Sequence, residues 1–192
     1  MSNVILIGNG PSLLDHRLGR VIDTYDLVVR FNSYVVHGFE DHVGSKTDIW
    51  FSTGCPQNHT PRDYYRTYWH SWCWEAHKDT NFQRFLVHYP DAIKTNRDMI
   101  LGMQKISGNK RYQDYSTGAI AAHILVEEFG QVSIAGFDWW SDNPVHHYCD
   151  KVTRGTLHKP NHELRFFNSL VKSHKVVDLN PDSILGDSSE KI

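Results

Sequence analysis

With 192 residues, of which 40% are hydrophobic and 22% charged, the chain is long enough for one domain with a sizeable core. Its formal net charge of −2 gives no basic excess that would indicate nucleic-acid binding, and there is no acidic tail. No signal peptide precedes the first apolar run, and no apolar run approaches the ~20 residues of a membrane helix, so we expect neither feature.

Apolar runs alternate with helical spacings along the chain. Runs typical of buried strands occur at Val4–Ile7, Tyr25–Phe31, Asp48–Ser52, Phe85–His88, Val132–Phe137 and Lys175–Leu179. Helices are predicted from Pro11 to about Arg20, from an N-cap at Thr60 through Tyr64–Ala76, and over Asn96–Ile106, Ala119–Phe129 and Asn161–Ser173. This alternation predicts an α/β fold with a mainly parallel sheet. With no linker or repeat, we expect residues 1–192 to form a single domain whose last residues, 186–192, fray.

The three cysteines, Cys55, Cys73 and Cys149, have unrelated spacings. An odd number at such spacings is typical of free thiols in a reducing compartment. We therefore expect a cytoplasmic protein.

The first predicted strand runs directly into Gly8-Asn9-Gly10-Pro11-Ser12. Glycines let the backbone approach a ligand closely, and the Asn9 side chain offers both a donor and an acceptor. Open α/β sheets bind ligands at the carboxyl ends of their strands, where this loop would lie. The loop matches neither the dinucleotide fingerprint, because Leu13 stands at the third glycine position, nor a Walker loop. A plain tight turn is the alternative.

Ser116-Thr117-Gly118 is a second short motif of polar residues and glycine, at the start of a predicted helix. Hydroxyl groups at this position can contact a ribose or a phosphate with help from the helix dipole. On this motif alone, simple N-capping of the helix is the favoured interpretation.

Histidines concentrate in His146-His147-Tyr148-Cys149-Asp150 and in the segment from His158 to Glu163. Adjacent histidines do not easily supply two ligands to one ion, and neither HExxH nor CxxC is present, so we expect no metal site. Pro160 predicts a helix start just after His158. The positive end of a helix favours a neutral imidazole, which is what a general base needs.

Tyr64–Trp74 is rich in aromatic residues at helical spacing. A core helix is the favoured interpretation of this segment. The alternative is an acceptor site or lid, because aromatic faces stack on sugar rings.

Four stretches, in order, resemble the sialyltransferases of glycosyltransferase family 29. "VILIGNGPSL", "VIDTYDLVVRFN" and "HGFEDHVGSKTDIWF" resemble the family's motif L, and "YSTGAIAAHILVEEFGQVSIAGFD" resembles motif S. "HHYCD" resembles motif III, and His158-x4-Glu163 matches the spacing of motif VS. The "GNGPSL" opening is also similar to the bacterial family 42 sialyltransferases. The resemblance covers the chain except about residues 54–114.

The resemblance implies a Rossmann-like domain with helices on both faces, which binds a CMP-activated sugar and transfers it with inversion, without a metal or cofactor. It implies His158 as the general base, with His147 and Tyr148 stabilising the leaving phosphate. Glu163 would orient the loop that holds His158, or act only as a first-turn carboxylate. The implied donor-nucleotide contacts are Gly8, Asn9, Gly10, Asn32, Ser116, Thr117, Gly118 and Gly136.

The chain also departs from the family. Neither motif L nor motif S contains a cysteine for the family's disulfide, we expect no membrane anchor, and Asp114-Tyr115 replaces the Tyr-Pro that normally precedes the motif S serine. We expect a CMP-sugar donor and a glycan or other hydroxyl acceptor as partners, with sialic acid as the sugar. The alternatives are a CMP-Kdo or other CMP-sugar transferase, a nucleotide-binding protein without catalysis, and a metal-dependent hydrolase built on the histidines.

Overall fold

The structure, a computed structural model, describes residues 2–53, 62–70, 78–108, 115–139, 145–153, 160–183 and 185. The described strands are β1 Val4–Ile7, β2 Leu27–Phe31, β3 Ile49–Ser52, β4 Arg66–Trp69, β5 Ile93–Lys94, β6 Val132–Ala135, β7 Val145–His147, β8 Asp150–Thr153 and β9 Val176–Asp178. Seven of them form one sheet in the order β5-β4-β3-β2-β1-β6-β9, and every neighbouring pair is parallel. Strands β7 and β8 form a separate antiparallel pair.

The described α-helices are α1 Gly19–Ile22, α2 Glu40–Val43, α3 Lys78–Leu86, α4 Leu101–Ser107, α5 Thr117–Phe129 and α6 Pro160–Lys172. Short 3-10 turns occur at Pro11–Asp15 and Asp98–Ile100. None of the described helices has the length and apolar character that crossing a membrane requires.

Alternate residues of the central strands face two different cores. Val4 and Leu6 of β1 pack with buried residues of α4, α5 and α6. Ile5 and Ile7 pack with residues of α1, α2 and the Pro11–Asp15 turn on the opposite face. Both faces are therefore covered, as is usual for parallel sheets. The expected α/β fold, with a parallel sheet and helices on both faces, is confirmed.

The predicted helix over Tyr64–Ala76 is wrong, because the described part of this segment contains β4. Tyr68 of β4 lies opposite Phe51 of β3, and their rings stack at 4.3 Å. Trp69 points to the other face and packs against Phe82. A strand buried on both faces reads as a run of large apolar residues, which spacing alone does not distinguish from a helix. Residues 71–77 and the predicted N-cap Thr60 lie outside the described residues.

Two further element predictions are wrong. Phe85–His88 is not a strand: Phe85 belongs to α3 and stacks on Trp50, and β5 follows later. The helix predicted from Pro11 to Arg20 is broken at His16, whose backbone is extended, and α1 starts afresh at Gly19. Helix α1 packs directly on α2, because a Cβ at Gly19 would overlap the carbonyl oxygen of Glu40. This close packing was not predicted.

Strands β1, β2, β3, β6 and β9 and helices α4, α5 and α6 lie where the sequence predicted them, with small changes of boundary, whereas β5, β7, β8 and α2 were not predicted. Strand β6 ends at Ala135 rather than Phe137, because Gly136 turns the chain with a φ of +73°. The helix predicted over Asn96–Ile106 is a 3-10 turn followed by α4. The frayed tail predicted at 186–192 lies outside the described residues.

His70 follows β4 and makes stability depend on pH. Burial lowers its pKa to about 4, and its Nδ1 lies 2.9 Å from the Thr95 hydroxyl oxygen. An unfolded chain titrates its histidine near 6.5, so between about pH 6.5 and 4 the unfolded state binds more protons. We expect His70 to lower the free energy of unfolding by up to about 1.4 kcal/mol for each pH unit of acidification in this range.

The measurement is urea unfolding across this pH range for the wild type, for His70→Asn and for His37→Asn, whose side chain is fully exposed. The difference in unfolding free energy between wild type and His70→Asn should shrink as the pH falls. The His37→Asn variant should keep the wild-type slope. Parallel curves for the wild type and His70→Asn would contradict the assignment.

Candidate functional site

Two loops meet at the carboxyl ends of β1 and β6, the point where the strand order of the sheet reverses. The chain proceeds outward from β1 to β5 on one side and continues through β6 and β9 on the other. The Gly8 N–H donates to the Ala135 carbonyl at 2.7 Å, and the Gly10 N–H donates to the Gly136 carbonyl at 3.0 Å. Ligands of open α/β sheets bind at such a reversal.

The glycines of these loops are explained by the contact between the loops. A Cβ at Gly8 would overlap the Gly136 carbonyl oxygen, and a Cβ at Gly10 would lie 2.5 Å from the Asp138 carboxylate. Gly136 itself has a φ of +73°, which favours glycine. Contact of Gly8, Gly10 and Gly136 with a ligand therefore stays a prediction, because packing alone requires glycine here.

Asn9 joins this loop to the β7–β8 pair. It is 7% exposed, and its carbonyl accepts the Tyr148 N–H at 2.8 Å. The Tyr148 hydroxyl donates to the Val35 carbonyl and accepts the Val35 N–H at 3.2 Å. Tyr148 thus holds together the loops that follow β1 and β2. Since its single hydroxyl proton goes to Val35, Tyr148 has no second proton for a phosphate in this arrangement.

His147 immediately precedes Tyr148, at the end of β7, and its side chain is half-buried. The backbone bond from Tyr148 to Asn9 therefore brings His147 to the Gly8–Ser12 loop. Contact of His147 with the leaving phosphate stays a prediction.

Asn32 joins the end of β2 to the start of α5. Its side-chain amide donates to the Thr117 hydroxyl at 3.2 Å, and its amide oxygen accepts from the Thr53 hydroxyl at 3.1 Å. Its φ is +53°, a conformation that asparagine adopts more readily than most residues. The structure thus brings the predicted donor residues Asn32 and Thr117 together.

Ser116 and Glu163 connect the starts of α5 and α6. The Ser116 hydroxyl oxygen accepts the Ala119 N–H at 3.2 Å, which confirms the N-cap. The Ser116 N–H donates to one oxygen of Glu163, and its hydroxyl donates to the other at 2.9 Å. Burial raises the pKa of Glu163 to about 7, although the bonds from Ser116 act in the opposite direction. Glu163 is therefore not only a first-turn carboxylate, because it also binds Ser116.

Gly118 lets α5 approach the sheet. A Cβ at this position would lie 2.9 Å from ring atoms of both Phe31 and Phe137. Its contact with the donor nucleotide stays a prediction.

Several predicted residues lie outside the described part of the chain. They include His158, the Asp114 position, Cys55 and Cys73. α6 begins at Pro160, as the sequence predicted. Cys149 is a free thiol. Among the residues that the structure describes, no group of three or more His, Cys, Asp and Glu side chains is placed to hold a metal ion.

The sequence did not point to Asp138 as a site residue. Asp138 follows β6, and its carboxylate accepts both the N–H and the hydroxyl of Ser12. Its position just beyond a strand-ending glycine was the only signal in the sequence. His162, in the first turn of α6, is half-buried, and its buried Nδ1 has no hydrogen-bond partner among the described residues.

Comparisons with known proteins agree with this architecture. The sequence model of glycosyltransferase family 29 (sialyltransferase) matches residues 2–71 and 56–175. A CMP-N-acetylneuraminate-beta-1,4-galactoside alpha-2,3-sialyltransferase from Rattus norvegicus is 27% identical, over 92% of this chain and 57% of the relative. The Homo sapiens protein of the same name is 28% identical, over 92% of this chain and 56% of the relative. The chain thus spans little more than half the length of these curated relatives.

Solved structures show the same fold. A mammalian sialyltransferase in complex with Gal-beta-1-3GalNAc-ortho-nitrophenol superposes with a TM-score of 0.73 at 19% identity. The alignment covers 93% of this chain and 69% of that chain. A second structure of a mammalian sialyltransferase gives a TM-score of 0.71 at 20% identity, with the same coverage.

The contact between the two loops predicts a large effect of a single methyl group. Gly8→Ala should lower the free energy of unfolding by about 3 kcal/mol, the upper end of typical overpacking effects, because the new Cβ meets backbone rather than a mobile side chain. Gly38→Ala is the matched control, since Gly38 has a φ of +85° but open space around its Cβ position. It should lower stability by only about 1–2 kcal/mol. Denaturant unfolding measures both, and equal effects would contradict the steric account.

Proposed function

Because the chain belongs to glycosyltransferase family 29, the sialyltransferases, we propose that it transfers a sugar from a CMP-activated donor to a hydroxyl group of an acceptor. The names of the rat and human relatives specify CMP-N-acetylneuraminate and a β-1,4-galactoside. We propose CMP-N-acetylneuraminate as the donor of this chain and a glycan as the acceptor.

The observation that carries the proposal is the convergence of separate motifs on one edge of the sheet. The loop after β1 contacts the loop after β6 and the β7–β8 pair, and the end of β2 contacts the start of α5. These contacts join motifs that lie far apart in the sequence. Their meeting place is the reversal of strand order, where a nucleotide would bind.

The same edge offers groups suited to the parts of CMP. Asn32 presents an amide beside Thr117, at the start of the 13-residue helix α5. The N-terminus of a helix carries partial positive charge, which favours a phosphate. We therefore place the phosphate toward Asn32 and α5, and the nucleoside toward the loops that follow β1 and β6.

In the proposed reaction, His158 accepts the proton of the acceptor hydroxyl as its oxygen attacks the anomeric carbon. The bond from that carbon to the phosphate oxygen breaks on the opposite face, so the configuration inverts and CMP departs. His147 donates a hydrogen bond to the phosphate as its charge grows, so the proposed reaction requires no divalent ion. Tyr148 fixes the position of His147 through its bonds to Asn9 and Val35.

Glu163 acts in this proposal as a positioning residue. It lies in the first turn of α6, the helix that follows His158 in the chain, and it holds Ser116 at the start of α5. This link ties the helix that follows the predicted base to the start of α5, where the proposal places the phosphate. A displaced α6 would therefore disturb both the base and the start of α5.

The experiment that tests the function combines binding and turnover. CMP should raise the melting temperature, because at about 100 times its Kd a ligand adds roughly 2.7 kcal/mol to the stability of the state that it binds. UMP, AMP and GMP at equal concentration are the controls. Release of CMP from CMP-N-acetylneuraminate should require a galactoside acceptor and should continue in excess EDTA.

Each arm of this experiment has a contrary result. No stabilisation by CMP would refute the donor assignment. Turnover only with CMP-Kdo would replace sialic acid by that sugar. Loss of activity in EDTA with recovery on adding zinc would favour the hydrolase interpretation of the histidines.

The roles of two histidines separate kinetically. His158→Ala should reduce turnover about 10²–10⁴-fold, the usual contribution of a positioned acid–base group, with little change in CMP affinity. His147→Ala should reduce turnover and also weaken CMP binding, because its contact is with the phosphate. The control is His88, an exposed residue that follows α3 in the sequence. His88→Ala should behave as wild type. Near-normal turnover of His158→Ala would mean that another group is the base.

A further inference from the structure

Asp138 reaches from the loop after β6 into the loop after β1. One of its carboxylate oxygens accepts the Ser12 N–H at 3.1 Å, and the other accepts the Ser12 hydroxyl. The carboxylate also lies against Gly10, where only the absence of a Cβ leaves room for it. An acidic group is thus fixed within the two loops that meet at the reversal of strand order.

The neighbouring residues hold the carboxylate in this direction. Trp139 packs against Phe137 and Phe167, with ring centroids 5.7 Å and 4.6 Å apart. These rings anchor the chain on both sides of Asp138 to the core beneath the sheet. Asp138 itself is only half-buried, so part of the residue stays accessible.

We propose that Asp138 accepts hydrogen bonds from the ribose hydroxyls of the donor nucleotide and makes the site selective for ribonucleotides. This inference rests on the proposed function, because it takes CMP to bind at the β1–β6 edge. Ser12 supplies one hydrogen bond to each carboxylate oxygen, and each oxygen has a further lone pair to offer. A vicinal diol presents two donors, which matches two oxygens held side by side.

Charge decides which part of the nucleotide lies here. A carboxylate repels phosphate, and the negative charge of Asp138 is already felt by Asp178 at the end of β9. Burial is the main cause that raises the pKa of Asp178; hydrogen bonds from Ser183 and Asn180 oppose the rise, and the charge of Asp138 adds a smaller contribution to it. The phosphate therefore belongs toward Asn32 and α5, which leaves the hydroxyl-rich ribose for Asp138. The amino group of cytosine is the other donor group in CMP, but it stands alone on the base.

The test is calorimetry on the full chain with CMP, 2′-deoxy-CMP, 3′-deoxy-CMP and UMP. The wild type should bind at least one deoxy analogue about 10- to 100-fold more weakly than CMP, the usual effect of losing a hydrogen bond to a charged group. In Asp138→Asn this ratio should fall to near one. Asp182→Asn, at an exposed carboxylate, should keep the wild-type ratio.

The outcomes distinguish this inference from the proposed function. If the wild type binds no CMP, the proposed function fails and the inference fails with it. If the wild type binds CMP but does not discriminate against either deoxy analogue, only the inference is overturned. It is also overturned if Asp138→Asn weakens CMP and its deoxy analogues equally, since Asp138 would then act only by holding Ser12. Loss of discrimination against UMP with the ribose ratio intact would assign Asp138 to the base instead.

Discussion

The site depends on a close backbone contact between the loops that follow β1 and β6. Gly8 donates to Ala135, and the space that a Gly8 side chain would need is filled by the carbonyl oxygen of Gly136. Strand β1 pairs with β2 on one side and β6 on the other, so this contact lies inside the sheet rather than at one of its edge strands. The two loops cannot separate without breaking backbone hydrogen bonds at the point where the strand order reverses. A ligand that binds between them therefore meets a preformed surface rather than mobile loops.

Hydrogen bonds from backbone and side chains extend this contact outward to the other elements of the site. Tyr148 fastens the β7–β8 pair to Asn9, Asn32 fastens the end of β2 to Thr117, and Glu163 fastens α6 to Ser116. Most of these groups are buried, and in a poorly solvated interior a lost partner leaves a donor or acceptor unpaired at about 1–3 kcal/mol. Such bonds hold together segments that share no strand pairing. The same bonds that place the predicted site residues therefore also contribute to the stability of the fold.

The sequence predicts the parts of the fold that follow from local pattern. Val4–Ile7 is an apolar run ended by glycine, and Ser116 is an N-cap before a strongly helical segment, so β1 and α5 were predicted correctly. β4 was missed because its pairing with β3, rather than its local sequence pattern, makes it a strand. Tyr68 stacks on Phe51 of β3, a contact that local spacing does not show. The motif resemblance assigned Asn32 and Thr117 to one set of donor contacts, and the structure places these two residues in hydrogen-bond contact. Asp138 has no periodic signal, and only its contact with distant Ser12 makes it visible.

Two buried titratable groups at the same edge of the sheet oppose each other in their effect on stability. Glu163 has a raised pKa of about 7, so its favourable contribution is complete below its unfolded value of 4.5 and is lost as the pH rises through 7. His70 has a lowered pKa of about 4, so its contribution is complete above 6.5 and is lost as the pH falls through 4. Between about pH 4.5 and 6.5, each unit of alkalinisation therefore adds stability through His70 and removes a similar amount through Glu163, on the order of 1.4 kcal/mol each. The stability of the wild-type chain can thus depend only weakly on pH even though it buries two groups whose contributions depend strongly on pH. His70 acts at the end of β4, and Glu163 acts at the junction of α5 and α6.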